Sequence, residues 1–172
     1  MAKLSIVVTT ALVGAIAAFT GAFAQAVNFP TQKYLPLDLA IEAAEAAYAA
    51  CIAMGPNNVP VVSVVDANGD EILYMVFDTG QTRIGPNNTV RKALTALNDG
   101  GQTSTEMMKR AMKAPGGVAG WLLENPSDYY SPGGAPIKVG DELIGAIGVT
   151  AHAAVDQQCA DAGVAKIMDR LK

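Results

Sequence analysis

A few polar side chains in this sequence have the chemistry to bind a ligand or move a proton. His152 is the one histidine in 172 residues, and imidazole can ligate a metal ion or act as a general base near neutral pH. Arg91 and Lys92 open a segment with helical spacing, where adjacent cations can hold a carboxylate. Tyr129 and Tyr130 could stack on a flat ligand. The ordinary alternatives are a helix-capping histidine, two solvated surface cations and two tyrosines packed in an interface.

Motifs of the common enzyme classes are absent from the sequence. It contains no hydrolase elbow, no nucleotide-phosphate loop, no HExxH metal motif and no CxxCH cofactor-attachment sequence. Two cysteines and one histidine are too few for a zinc site. Asp66 and Asp70 flank Asn68-Gly69 and indicate a hairpin turn, since the other ligands of a calcium loop are missing. These absences favour a binding protein over an enzyme.

The first residues have the pattern of a secretory signal peptide. Lys3 is followed by an apolar stretch at 4–19, and small residues allow cleavage after Ala24 or after Ala26. We therefore expect a signal peptide at 1–26, a single domain at 27–172 and a periplasmic or secreted protein with no membrane segment after cleavage. Loss of Lys3 leaves 11 basic and 16 acidic residues, a net charge of 11 − 16 = −5. This acidic balance argues against nucleic acid as a partner.

The two cysteines, Cys51 and Cys159, lie in separate predicted helices. In an oxidising compartment they can form a disulfide. The alternative is that both are small buried apolar residues. The sequence favours the disulfide because the chain is expected to be exported.

The predicted elements alternate between helices and hairpins. An alanine-rich helix from about Asp38 to Met54 precedes two β-branched runs at 59–65 and 71–77, which predict a hairpin. Helices follow at about 90–97, capped by Asn88 or Thr89, and from Thr103 or Ser104, with Glu106 as a capping-box partner. A weak strand is expected within 118–130, a second hairpin at 135–150 and a last helix at 153–171. This order predicts an α+β sandwich with a mostly antiparallel sheet.

The strand at 143–150 is almost continuously apolar, as expected of a strand covered on both faces. Gly145 and Gly148 interrupt it. Interior glycines weaken a strand, so they indicate close approach of a helix or of a ligand.

Several stretches occur together in one order: the alanine-rich helix, then 61–66 with 68–69, 91–96, 132–137, 144–149, Asp156 and 160–163. This order resembles the GlcG/HbpS-like family, which includes extracellular haem-binding proteins and the C-terminal domain of PduO-type proteins. The chain departs from the family pattern at 77–80, where Phe77 replaces a common arginine. It also departs at 150–153, where His152 lies in place of a glycine-rich turn.

The resemblance implies a profilin-like α/β/α sandwich around a five-stranded, mostly antiparallel sheet, assembled into dimers or larger homo-oligomers. It also implies non-covalent haem binding between the Arg91-Lys92 helix and the Pro132–Pro136 turn. His152 is the candidate iron ligand, and the candidate ligand-binding residues are Arg91, Lys92, Thr95, Tyr130, Pro132, Gly133, Gly134 and Pro136.

Two alternatives to haem binding stay open at this point. One is an enzyme or accessory factor for a small organic acid, with the acid anchored by Arg91 or Lys92 and a proton moved by His152. The other is a structural oligomer subunit without a ligand.

Overall fold

The computed structural model describes residues 31–77, 86–99, 101–126 and 128–171. The predicted signal peptide at 1–26 and the departure from the family pattern at 78–80 lie outside these residues. The described residues from Gln32 onward form one compact unit. No helix in the described ranges combines the length and the apolar character needed to cross a bilayer.

Two hairpins form an antiparallel sheet. Its strands are β1 (Val61–Asp66), β2 (Glu71–Val76), β3 (Gly134–Val139) and β4 (Glu142–Thr150), in the spatial order β2-β1-β4-β3. The prediction of five strands is therefore wrong for the described residues, which contain four. The weak strand expected within 118–130 is instead mainly helical, because Gly116 adopts a left-handed conformation and starts a helix at Gly117.

The helices are α1 (Leu37–Ala53), α2 (Pro86–Asn98), α3 (Ser104–Lys113), α4 (Gly117–Glu124) and α5 (Asp156–Ile167), followed by a 3₁₀ turn at Met168–Arg170. The capping box of Thr103 and Glu106 is confirmed at the start of α3. The expected cap of α2 at Asn88 or Thr89 is wrong, since the helix begins at Pro86. Thr89 is instead fully buried, and its Oγ1 donates a hydrogen bond to Thr150 Oγ1 at 3.1 Å.

The Asn68-Gly69 hairpin is confirmed by its hydrogen bonds. Asp66 Oδ1 accepts from the backbone N–H groups of Asn68 at 2.8 Å and Asp70 at 3.0 Å. Gly69 has a φ of 87°, which suits glycine at a tight turn.

Helices cover both faces of the sheet. Val62 and Val64 of β1 pack into a core shared with α1 and α5, whereas Val65 packs with Ala93 and Ala96 of α2 on the opposite face. Both faces of β1 are therefore dry, which explains its uninterrupted apolar sequence.

A disulfide joins α1 to α5 within the first core. Cys51 and Cys159 are fully buried, and their Cα atoms lie 5.3 Å apart. Gly163 lies close to the α1 backbone, since a Cβ there would come within 2.7 Å of Ala43 O. The small residues of both helices thus let them pack closely beside each other.

Gly148 places α2 directly on β4, as its position in the strand predicts. A Cβ at Gly148 would lie 2.1 Å from Thr89 O and 3.0 Å from Ala93 N, both backbone atoms of α2. Gly148→Ala should therefore force α2 away from the sheet and cost about 1–3 kcal/mol of unfolding free energy, measured by urea denaturation. Gly140→Asn is the control, because its space is open and asparagine tolerates its φ of 63°. Equal losses in the two variants would contradict the close-packing explanation.

Candidate functional site

The Lys92 side chain is enclosed between α2 and the end of β4. Its Nζ donates to Asp156 Oδ2 at 2.7 Å and to Val149 O at 2.9 Å, and the residue is only 2% exposed. Asp156 Oδ1 accepts from the Ala151 backbone N–H at 2.8 Å. Burial lowers the pKa of Lys92, and the nearby Asp156 carboxylate partly opposes this effect. The Lys92 ammonium thus has internal partners.

The Pro-Gly-Gly turn lies directly against this ion pair. Gly133 O accepts from Val149 N at 2.7 Å, and a Cβ at Gly133 would lie 3.2 Å from Lys92 Nζ. A Cβ at Gly134 would lie 2.1 Å from Lys92 O. The two glycines are therefore needed for close approach of the turn to α2.

Two polar side chains that the sequence analysis did not select hold the turn in place. Ser104 Oγ donates to Ser131 O at 2.8 Å and accepts from Gly134 N at 2.7 Å. Gln157 Oε1 accepts from Gly133 N at 3.0 Å, and its Nε2 donates to Gly134 O at 3.1 Å. From the sequence, Ser104 could be predicted only as a helix cap because it lies at a helix start. No motif in the sequence points to Gln157.

Arg91 and Thr95 fasten the segment that precedes the turn. Arg91 Nη2 donates to Asp128 O at 2.6 Å, and its guanidinium carbon lies 5.3 Å from the centre of the Tyr129 ring. Thr95 Oγ1 donates to Arg91 O and accepts from Tyr129 N, both at 2.8 Å. Tyr130 Oη donates to Asp128 Oδ2.

The remaining predicted site residues are more exposed. Pro132 is half-buried in the turn, and Pro136 is half-buried in the edge strand β3. His152 is exposed between β4 and α5, where its Nδ1 accepts from Ala154 N at 3.4 Å and its carbonyl accepts from Val155 N at 2.8 Å. The structure thus brings Lys92, Gly133 and Gly134 together, whereas the hydrogen bonds of His152 are local.

A cleft of about 320 Å³ opens beside the start of α1, at the end of the sheet away from the Pro-Gly-Gly turn. Its apolar lining includes Leu39 and Ile144, which are 5% and 1% exposed. Tyr34 is 78% exposed at the cleft. The cleft is also lined by two cations, Lys33 and Arg170. The sequence analysis missed this cleft because its lining comes from four separate segments.

The cations of the cleft are held by exposed ion pairs. Lys33 Nζ lies 3.7 Å from Glu142 Oε2, and Arg170 pairs with Asp38 at 3.1 Å and with Glu42. Exposed pairs of this kind contribute about 0–1 kcal/mol. A strongly anionic ligand can therefore compete for these cations.

Comparison with solved structures supports the fold. HbpS is 30% identical, with a TM-score of 0.67 over 83% of this chain and 96% of that chain. A double mutant of Streptomyces reticuli HbpS is 28% identical, with a TM-score of 0.67 over 83% and 92% of the two chains. A PduOC–haem complex is 22% identical, with a TM-score of 0.66 over 78% and 96%. No curated protein sequence matches the chain.

A family model described as "Haem degrading protein HbpS-like" matches residues 35–165. This match begins just before α1 and ends within α5, so it includes the whole sheet and its covering helices. The chain therefore belongs to the HbpS-like family.

Proposed function

We propose that this protein is an exported binding protein that holds haem non-covalently. The observation that carries the proposal is the HbpS-like family match over residues 35–165. A neighbour with the same fold was solved as a haem complex, which adds support. Bound haem would supply a redox-active iron and a strong Soret absorption.

The cleft beside α1 has the donor chemistry that haem requires. The exposed Tyr34 ring offers an aromatic surface to a porphyrin, and Lys33 and Arg170 offer cations to its propionates. The Tyr34 phenol is a potential iron ligand, since tyrosinate ligates haem iron in some proteins. The volume of about 320 Å³ is at the low end of the range for small-molecule sites, about 300–1,000 Å³. A haem in this cleft would therefore stay partly exposed.

The surface predicted from the sequence is the second candidate location. There Arg91 and Tyr130 would contact haem, and His152 would ligate its iron. Lys92 is not available for a propionate while Asp156 and Val149 O are its partners. Without Lys92 to bind a propionate, the predicted surface is a weaker candidate for the haem site than the cleft.

Export is supported by the disulfide together with the signal-peptide pattern at 1–26. A buried Cys51–Cys159 bond is typical of a protein that folds in an oxidising compartment. Mass spectrometry of the protein from a periplasmic fraction would test export. A mature chain that begins at Gln25 or Val27 is expected, and an uncleaved chain would contradict the proposal.

A haemin titration of the mature protein tests binding. We expect a saturable Soret shift at about one haem per subunit or per dimer. Lys33→Gln/Arg170→Gln should weaken binding about tenfold, because each propionate loses a charged partner. Tyr34→Phe should change the Soret position if the phenol ligates iron.

Matched variants locate the site. Lys109→Gln removes an exposed cation of α3 that does not line the cleft and should bind haemin normally. Arg91→Gln and His152→Gln should also bind normally if the cleft holds haem, whereas weakened binding in these two variants would favour the predicted surface. A flat titration would contradict haem binding. A Soret band that forms and then decays under reducing conditions would indicate degradation in addition to binding.

A further inference from the structure

One wall of the cleft beside α1 is the tail that follows α5, defined here as residues 168–171. Arg170 and Leu171 of this tail line the cleft. Helix α5 ends at the fully buried Ile167, whereas Met168 is 47% exposed. Leu171 is half-buried and packs against the first core. The tail is therefore a thin, largely exposed wall attached to a well-packed helix.

Arg170 ties this tail to α1. Its Nη2 donates to Asp38 Oδ2 at 3.1 Å, and its Nη1 donates to Glu42 Oε2. Asp38 and Glu42 are four residues apart, so their side chains lie on the same face of α1. Both terminal nitrogens of the guanidinium are thus bonded. These are donors that an arginine can offer together to a ligand carboxylate.

The paired charges of this cluster cancel while the bonds are intact. Lys166 Nζ of α5 lies 3.7 Å from Glu42 Oε1, so two cations face two carboxylates. An anionic ligand in the cleft gains little attraction from Arg170 in this state, because Asp38 and Glu42 offset its charge. Release of Arg170 from the two carboxylates would make its charge and its donors available to the ligand.

The tail is the wall of the cleft that can move. The side chains of Arg170 and Asp38 are 52% and 68% exposed, and exposed ion pairs stabilise a fold only weakly. The wall before α1 is held more firmly, since Leu35 is 4% exposed and Lys33 N donates to Glu142 Oε1 at 2.9 Å. The disulfide joins α1 itself to α5. Exchange of the Arg170 bonds should therefore displace the tail and leave the other walls in place.

We propose that Asp38 and Glu42 act as an internal anion, which holds Arg170 and the tail at the cleft until a ligand carboxylate displaces them. Transfer of Arg170 to the ligand releases the tail from α1 and widens the cleft, whose volume of about 320 Å³ is at the low end for a small-molecule site. This inference rests on the proposed function for its ligand, so the displacing groups are the haem propionates. The two carboxylates thus lower the affinity of the cleft.

Asp38→Asn/Glu42→Gln tests the proposal as a gain of binding. Both replacements nearly keep the size of the side chain and remove the charge that holds Arg170. In a Soret titration, the mature variant should bind haemin about three- to tenfold more tightly than the unchanged protein. Glu45→Gln/Glu124→Gln removes the same charge from exposed positions outside the cleft and should bind haemin normally. Unchanged or weaker binding in the first variant, or equal tightening in the control, would overturn the proposal.

Limited trypsin digestion tests the tail without haemin. Trypsin must take up the arginine side chain, so cleavage after Arg170 requires its release from Asp38 and Glu42. Mass spectrometry should show this cleavage to be about three- to tenfold faster in Asp38→Asn/Glu42→Gln than in the unchanged protein, with cleavage after Lys109 of α3 unchanged as the internal reference. Equal rates of cleavage after Arg170 would overturn the tail mechanism. Faster cleavage together with a flat haemin titration of the unchanged protein would support the tail mechanism and contradict the haem function.

Discussion

Lys92→Met should destabilise the protein by about 3–5 kcal/mol, because it leaves the Asp156 carboxylate buried without its cation. Lys92 and Asp156 are each 2% exposed, and their charged atoms lie 2.7 Å apart. Methionine has a similar volume to lysine, so the core should stay filled. The loss is therefore electrostatic, and urea denaturation at pH 7 would measure it.

A second substitution distinguishes this explanation from simple loss of packing. Lys92→Met/Asp156→Asn should recover part of the lost stability, because an amide carries no charge and can still accept from Ala151 N. Lys109→Met is the matched control on an exposed position of α3 and should change stability by no more than about 0.5 kcal/mol. A double variant that is less stable than Lys92→Met would contradict the ion-pair explanation.

Removal of the Cys51–Cys159 disulfide should cost about 4–5 kcal/mol in the chain-entropy model. The bond joins residues 108 apart in sequence, so its loss frees a long loop in the unfolded chain. Urea denaturation of Cys51→Ala/Cys159→Ala would measure the cost. Alanine suits both positions because each lies in a core already rich in alanine.

The single cysteine variants provide the control for the disulfide. Cys51→Ala and Cys159→Ala each remove the same covalent bond, so each should lose nearly as much stability as the double variant. Reductant added to the native protein should act slowly, since both cysteines are fully buried. Single-variant losses that add up to the double-variant loss would contradict a shared disulfide.

Both predictions concern the scaffold on which the proposed ligand sites depend. The Lys92–Asp156 pair ties α2 to the start of α5 and lies against the Pro-Gly-Gly turn. The disulfide ties α1 to α5, and the cleft lies between the start of α1 and the turn after α5. Haemin binding should therefore be compared among the variants in buffer without urea, after each variant has been shown to be folded.

Local sequence patterns were sufficient for most of the elements. The Asn68-Gly69 turn, the capping box at Thr103 and the glycine-proline stop after α1 act over a few residues, so their signals are readable in one sequence. The helix α4 was missed because 117–124 lacks a helical polar–apolar period and begins at a glycine. Its Trp121 contacts Tyr130 and Arg110 from two other segments, which no local pattern records.

The sequence by itself determined the order of helices and hairpins, the close approach at Gly148 and the family resemblance. Only the tertiary structure decided that the buried Lys92 pairs with Asp156. It also decided that the cleft forms beside Tyr34. The physical reason is sequence range: turns and periodicity depend on neighbouring residues, whereas ion pairs and clefts depend on residues that are distant in sequence. For Lys92 and Asp156 that separation is 64 residues, and no local pattern records it.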